Sequence, residues 1–158
     1  MTTENKLRVL TRIAETLNSH GITWGVGASL LLNFKGITQE FHDIDLMTTA
    51  EDVEQVKELL SGLGELQPPN PNDRYFSRHF YEFVIDGVDV DVMEGFVIVH
   101  DGQKINCPFS ADSIAETIEL DGQKIPLQAV PEWRRYYALM GREAKVNMID
   151  QALEQKEV

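Results

Sequence analysis

Residues 21–49 read GITWGVGASLLLNFKGITQEFHDIDLMTT. A short apolar run from Ile22 to Val26 leads into Gly27, Ala28 and Ser29 and then the apolar stretch Leu30 to Phe34, which predicts strand, tight turn, helix. Gly36 to Glu40 reads as loop, and Phe41 to Met47 alternates apolar and polar side chains as a half-buried strand does. Alternate residues of a strand share a face, so Asp43 and Asp45 present two carboxylates to one side, about 7 Å apart at Cα. Ile44 and Leu46 then point the other way, into a core. Magnesium takes one or two carboxylates together with water and substrate phosphates, and this pair has the chemistry for it. Taken alone, an acid-x-acid strand is more often a solvated sheet face.

Working outward, Leu7, Leu10, Ile13, Ala14 and Leu17 recur at helical spacing and stop at Gly21, predicting an amphipathic opening helix. Thr49 with Asp52 three positions on resembles a helix cap, and Val53, Val56, Leu59 and Leu60 give that helix its buried stripe before Gly62 and Gly64 end it. Pro68 to Asp73 form an irregular, proline-rich loop, either a lid or a surface connection. Asp86-Gly87 between Tyr75–Ile85 and Val88–Met93 is a strong β-hairpin signal. The second of these runs sets Asp89 and Asp91 on one face, between Val88, Val90 and Val92. Four acids on neighbouring strand faces repel one another unless they are solvated or neutralised. A divalent metal would resolve that repulsion; the alternative is the wet outer face of an antiparallel sheet.

DGQKI occurs at 101–105 and again at 121–125. Two hairpin turns built on the same Asp-Gly chemistry explain the repeat, with a duplicated functional loop as the sharper reading. Ser110 to Thr117 reads as a short helix. Pro131 to about Gln155 is helical, with Trp133, Tyr136, Tyr137, Met140, Ala144, Met148, Ile149 and Leu153 toward the core and Gly141 as a break. The expected fold is α+β: a mixed or antiparallel sheet with helices packed on one face, plus short C-terminal helices. One domain over 1–158 is expected, an α/β core at 1–127 followed by a helical region at 131–155.

Composition bounds the function. The chain has 158 residues, with 14 Lys+Arg against 26 Asp+Glu, a net charge of −12 and a pI near 4.6. Affinity for long nucleic acid comes from many Lys and Arg releasing counterions, so the balance argues against a template-tracking polymerase and against binding to an anionic membrane surface. A single basic pocket for a triphosphate is compatible with that balance. The lone Cys107 makes no intrachain disulfide, and the absence of CxxC or a Cys/His set argues against structural zinc. MTTENKLRVL lacks the apolar core of a signal peptide and no run approaches the roughly 18 residues of a membrane span, so a soluble cytoplasmic protein is expected.

VGASLLL adds a second chemical element. Glycine and a small hydroxyl residue at a strand-to-helix turn leave backbone N–H groups and the positive helix end for an anion, with Gly27 admitting a phosphate to the main chain and Ser29 donating its hydroxyl. VGASLLL, HDIDL and DVDVMEGF in this order, with GREAKVNMIDQAL near the end, resemble the nucleotidyltransferases of the DNA-polymerase-β-like superfamily. The likeness is to small single-chain members, among them lincosamide-type and toxin–antitoxin nucleotidyltransferases. It implies a nucleotidyltransferase-like fold in which Asp43, Asp45 and Asp91 hold two Mg²⁺ about 3.5–4 Å apart. Asp91 would orient or deprotonate the acceptor hydroxyl, with Asp89 as its rival on the same face. Gly27, Ser29, Arg142 and Lys145 would bind the NTP; for the two cations a solvated helix face is an equal alternative.

Arg74, Arg78 and His79 are weaker candidates for the triphosphate, and Trp24 and Trp133 read as core rather than as platforms for a base. The implied reaction moves a nucleoside monophosphate to a hydroxyl of a small-molecule or protein acceptor and releases pyrophosphate. Ala28 stands where the family commonly has Gly or Ser, which keeps open a non-catalytic nucleotide-binding or adaptor protein with the same fold. His42 and Val146 are further departures. A third reading is an interaction domain whose acids are surface charges. The acceptor wall is expected from the helices after Pro131 or from a second copy in a homodimer.

Overall fold

The computed structural model describes residues 2–69 and 77–156. Asn70 to Asp73 of the proline-rich loop, Arg74 and the expected strand start at Tyr75 lie outside the described residues. The Thr2 hydroxyl accepts the Asn5 N–H and opens helix α1, Thr3–Ser19, which buries Val9, Leu10, Ile13, Ala14 and Leu17 along one stripe. Strand β1 (Trp24–Val26), helix α2 (Ala28–Phe34), strand β2 (Ile44–Thr48) and helix α3 (Val53–Ser61) follow. Then come strands β3 (Glu65–Leu66), β4 (His79–Ile85), β5 (Val88–Glu94), β6 (Phe96–His100), β7 (Gln103–Cys107), β8 (Ile114–Leu120) and β9 (Gln123–Gln128). Helices α4 (Val130–Leu139) and α5 (Glu143–Lys156) complete the order.

Seven strands form a sheet in the order β3-β4-β5-β2-β1-β9-β8, and β6 and β7 stand apart as a hairpin. The β2–β5 and β1–β9 pairs are parallel and the rest antiparallel, so the sheet is mixed as expected. Ile44, Leu46, Val90 and Val92 are all buried, on the face opposite Asp45 and Asp91. Helix α1 packs on β9 and α3, and α3 packs on β4. Among the described residues no helix is long and apolar enough to cross a membrane.

Three Asp-Gly pairs turn hairpins the same way. Asp86-Gly87, Asp101-Gly102 and Asp121-Gly122 have φ values of 49° and 79°, 51° and 77°, and 50° and 80°. Positive φ at both central residues is the type I′ turn, whose twist matches that of the flanking strands. The DGQKI repeat is therefore turn chemistry. Ser110–Thr117 is a correction: only Ala111–Ser113 forms a single 3₁₀ turn, with Ser110 and Ser113 capping each other. Ile114 onward is strand, because a hairpin at Asp121-Gly122 needs a partner for β9. The cap at Thr49 also shifts. Its hydroxyl accepts the Asp52 N–H, but α3 starts only at Val53 with Asp52 as its cap residue, three positions later, and the Asp52 carboxylate accepts the Thr23 N–H at 2.9 Å.

Gly141 breaks the C-terminal helix as expected. Its φ is +75°, its N–H donates to Ala138 O at 3.1 Å, and Arg142 N–H donates to Tyr137 O at 2.9 Å. This pair of bonds is a Schellman closure, which satisfies the last carbonyls of α4 and turns the chain. The apolar stripe of α5 is thinner than the spacing suggests: Ile149 is buried, Met148 half-buried and Ala144 exposed.

Candidate active site

Parallel pairing of β2 with β5 sets Asp45 directly opposite Asp91. Paired residues share a face, and the two carboxyl groups hydrogen-bond to each other. Asp43, just before β2, joins them in a cavity of about 310 Å³ lined also by Ala28, Ser29 and His42. Arg142 and Lys145, brought over by the Gly141 turn and the start of α5, form part of its wall. Phe80, Met93, Phe96, Trp133, Tyr137 and Met140 supply apolar walls. Asp89 is exposed and does not line this cavity, although its charge reaches Asp43.

The electrostatics follow from crowding. Burial pushes the Asp45 carboxyl up to about 7, and Asp43 adds repulsion, while the hydrogen bond to Asp91 and the Arg142 charge oppose the rise. Asp91 is pushed up to about 8 by burial first, then by Asp45, Asp43 and Glu82. Glu82 sits opposite Asp91 on β4. Burial and then Asp89 raise Asp43, against His42 and Lys6. Near neutral pH the facing pair therefore keeps a proton between two groups that would ionise in water. Lys145 is shifted downward by burial and by Arg142.

Residues 9–152 match the family model of aminoglycoside-2″-adenylyltransferases. The chain belongs to this family. Among solved structures, a proposed nucleotidyltransferase from Thermotoga maritima is similar at 26% identity and a TM-score of 0.74, covering 98% of this chain and 96% of that one. The ANT(2″)-Ia protein in complex with adenylyl-2″-tobramycin shares the fold at 11% identity and a TM-score of 0.62, covering 97% and 92%. A lincomycin-bound lincosamide antibiotic adenylyltransferase does so at 12% identity and a TM-score of 0.58, covering 95% and 97%. No curated protein sequence matches significantly. The aminoglycoside-2″-adenylyltransferase family is a nucleotidyltransferase family, in agreement with the resemblance carried by the three acidic and small-residue motifs.

Within this adenylyltransferase family chain, the turn after β1 is built differently from the expectation. A Cβ on Gly27 would lie 2.3 Å from Gln128 Oε1 and 2.5 Å from Trp133 Nε1, so its bare Cα is covered by protein atoms. Its N–H donates to Asp45 O at 3.1 Å. Ala28 and Ser29 are the turn residues that line the cavity, and Ala28 has φ +53°, a left-handed conformation disfavoured for a residue with a Cβ.

Arg78 and His79 stand elsewhere. Arg78 pairs with the buried Glu94 at 3.0 Å beside a second hollow of about 880 Å³, and His79 lies 3.6 Å from both Glu54 and Glu94. Trp24 is core, its indole N–H donating to Asn18 at 2.9 Å. Trp133 is 2% exposed within an aromatic cluster, its ring 6.2 Å from Phe96 and 5.2 Å from Tyr136. Phe80, Met93, Tyr137 and Met140 line the cavity and Gln128 lies against Gly27, placements that the sequence reading did not expect. Tyr137 and Met140 carried only a core signal, and Gln128 carried none.

Proposed function

We propose that the protein transfers a nucleoside monophosphate, an adenylyl group in the first instance, from an NTP to a hydroxyl of a small-molecule acceptor and releases pyrophosphate. The facing of Asp45 and Asp91 across parallel strands, with Arg142 and Lys145 on the same cavity, carries this reading. Acids alone would suit any cation, and cations alone any anion. Both together suit a polyphosphate with a metal.

The donor set fits magnesium. Three carboxylates share one cavity, and burial and mutual repulsion hold all three above their ordinary value, which marks a place where added positive charge is favoured. Among the described residues no three His, Cys, Asp or Glu side chains are arranged to hold a metal ion by themselves. Mg²⁺ takes only one or two carboxylates and keeps water and phosphate oxygens as its other ligands, so acids that line one cavity suit it together with an NTP. Asp43, Asp45 and Asp91 would hold the ions, which when bound supply charge neutralisation and acidify a bound hydroxyl.

The remaining work falls to the side chains. Arg142 and Lys145 neutralise the β- and γ-phosphates, and the Ser29 hydroxyl donates to a phosphate oxygen. The acceptor oxygen forms a bond to the α-phosphorus as the α–β bridging bond breaks, and pyrophosphate leaves with that electron pair. The acceptor proton passes to Asp91, which serves as the base in its ionised form once cations neutralise the neighbouring acids. The apolar wall of Phe96, Trp133 and Tyr137 excludes water that would compete with the acceptor.

The test is transfer of label from α-labelled ATP, CTP, GTP or UTP with Mg²⁺ to hydroxylated small molecules, tobramycin and lincomycin included. Label on at least one acceptor is expected, and its loss in Asp45→Asn with the fold intact. Mg-NTP binding without transfer to any acceptor would support the non-catalytic alternative. No binding and no transfer would overturn the site.

A further inference from the structure

Two halves of the cavity come from distant parts of the chain. The acids stand on β2, just before it and on β5, whereas Arg142 and Lys145 follow α4, and something must hold α4 in register with the sheet. We propose that Trp133 and Gln128 are positioning residues: their buried hydrogen bond, seated on the bare Cα of Gly27, sets the cation-bearing helices against the acid-bearing strands. The inference rests on the transfer reading for its kinetic consequence only.

The geometry is a three-way lock. Trp133 Nε1 donates to Gln128 Oε1 at 2.9 Å, and both side chains are 2% exposed. The bond lies where a Cβ of residue 27 would be, 2.3 Å from the acceptor atom and 2.5 Å from the donor atom. It thus joins the end of β9, the middle of α4 and the β1–α2 turn. From Gly27 the link continues into the acids, because its N–H donates to the carbonyl of Asp45. From Trp133 it continues into the cations. Tyr137 lies one turn on along α4, and its ring carries the Arg142 guanidinium at 5.3 Å from the centroid.

A buried donor and acceptor with one partner each form a switch of high stake, because losing either leaves the other unsatisfied. That makes the contact directional, unlike the aromatic packing around it. Displacement at this point moves Gly27, and with it Asp45, relative to Tyr137 and Arg142. The two residues touch neither phosphate nor acceptor through this bond, so they act through others.

Trp133→Phe keeps a ring and removes the donor; Gln128→Met keeps the length and removes the acceptor. Each is expected to lower kcat about tenfold and to weaken Mg-ATP binding, read by calorimetry, while the protein stays folded by circular dichroism. The amide of Gly27 should exchange with solvent about tenfold faster in either variant, and amides of α1 should not change. The double variant should match the single ones rather than multiply them, since one bond is lost in all three. Unchanged kcat and Mg-ATP affinity with only a lower Tm would overturn the positioning role. If the wild type transfers no label, Mg-ATP affinity and Gly27 exchange still decide the inference, and the failure belongs to the transfer reading alone. If one variant does not fold, the other gives the answer.

Discussion

Asp45→Asn separates what the facing acids do for function from what they do for stability. In the metal-free protein, burial and the neighbouring acids raise Asp45 from its ordinary 3.8 to about 7. Each unit is about 1.36 kcal/mol, so the full shift corresponds to at most about 4 kcal/mol at pH 8. Sharing of one proton with Asp91 and the open cavity reduce that, and we expect ~1–2 kcal/mol. The Asn amide can donate to Asp91 where a second carboxylate would repel it. For a domain of this size 1 kcal/mol moves Tm by about 2–4 °C, so metal-free Asp45→Asn should melt ~2–8 °C higher than the wild type at pH 8. Near pH 4, where the wild-type acid is protonated in the folded state, the difference should vanish. Differential scanning fluorimetry with EDTA and then with Mg²⁺ reads both terms, because the variant should lose the stabilisation by Mg²⁺ as well as nucleotidyl transfer. A variant that is less stable at pH 8, or that keeps the full Mg²⁺ shift, would refute the argument.

The same proton linkage predicts a pH dependence of the wild type. Asp45 and Asp91 have folded values near 7 and 8, above the unfolded 3.8, so their contribution is fully present below about pH 4 and is lost as pH rises through about 8. Stabilisation by Mg²⁺ should therefore be small at pH 5 and grow to pH 9 in thermal melts; a flat response would remove the shared-proton picture. Gly27→Ala forces a Cβ into the Trp133–Gln128 bond and should destabilise by about 2–4 kcal/mol in urea unfolding, from overpacking plus a lost buried bond. A change below about 0.5 kcal/mol would mean that the turn can move aside. Arg142→Ala should raise KM for the NTP about tenfold or more with little change in Tm, since its side chain is exposed apart from the Tyr137 ring. An unchanged KM would return Arg142 to the solvated surface.

Much of the architecture was legible because it is encoded locally. The three Asp-Gly turns demand positive φ and so announce hairpins, and the stripe at Leu10, Ile13, Ala14 and Leu17 announces α1. Alternation alone put Asp43 and Asp45 opposite Ile44 and Leu46. Ser110–Thr117 misled because its residues suit a short helix, whereas β9 required a strand there. Thr49 and Asp52 carry a capping pattern whose hydrogen bonds are real but whose carboxylate turns to Thr23 instead.

Local periods state which face a side chain is on; they do not state which strand lies beside it. Asp89 and Asp91 were equivalent by alternation, and only the parallel register that sets Asp91 against Asp45 separates them, leaving Asp89 exposed outside the cavity. Arg78 was a candidate by charge until folding gave it Glu94 as a partner. Gly27 was legible as a turn, but the reason it must lack a Cβ is an indole from position 133 and an amide from position 128, more than 100 residues away. The sequence by itself determined most of the elements, the acid pairs and the resemblance to nucleotidyltransferases. Tertiary structure decided which acids meet, which cations face them and what holds the two sets together, because those are contacts between segments that no local pattern relates.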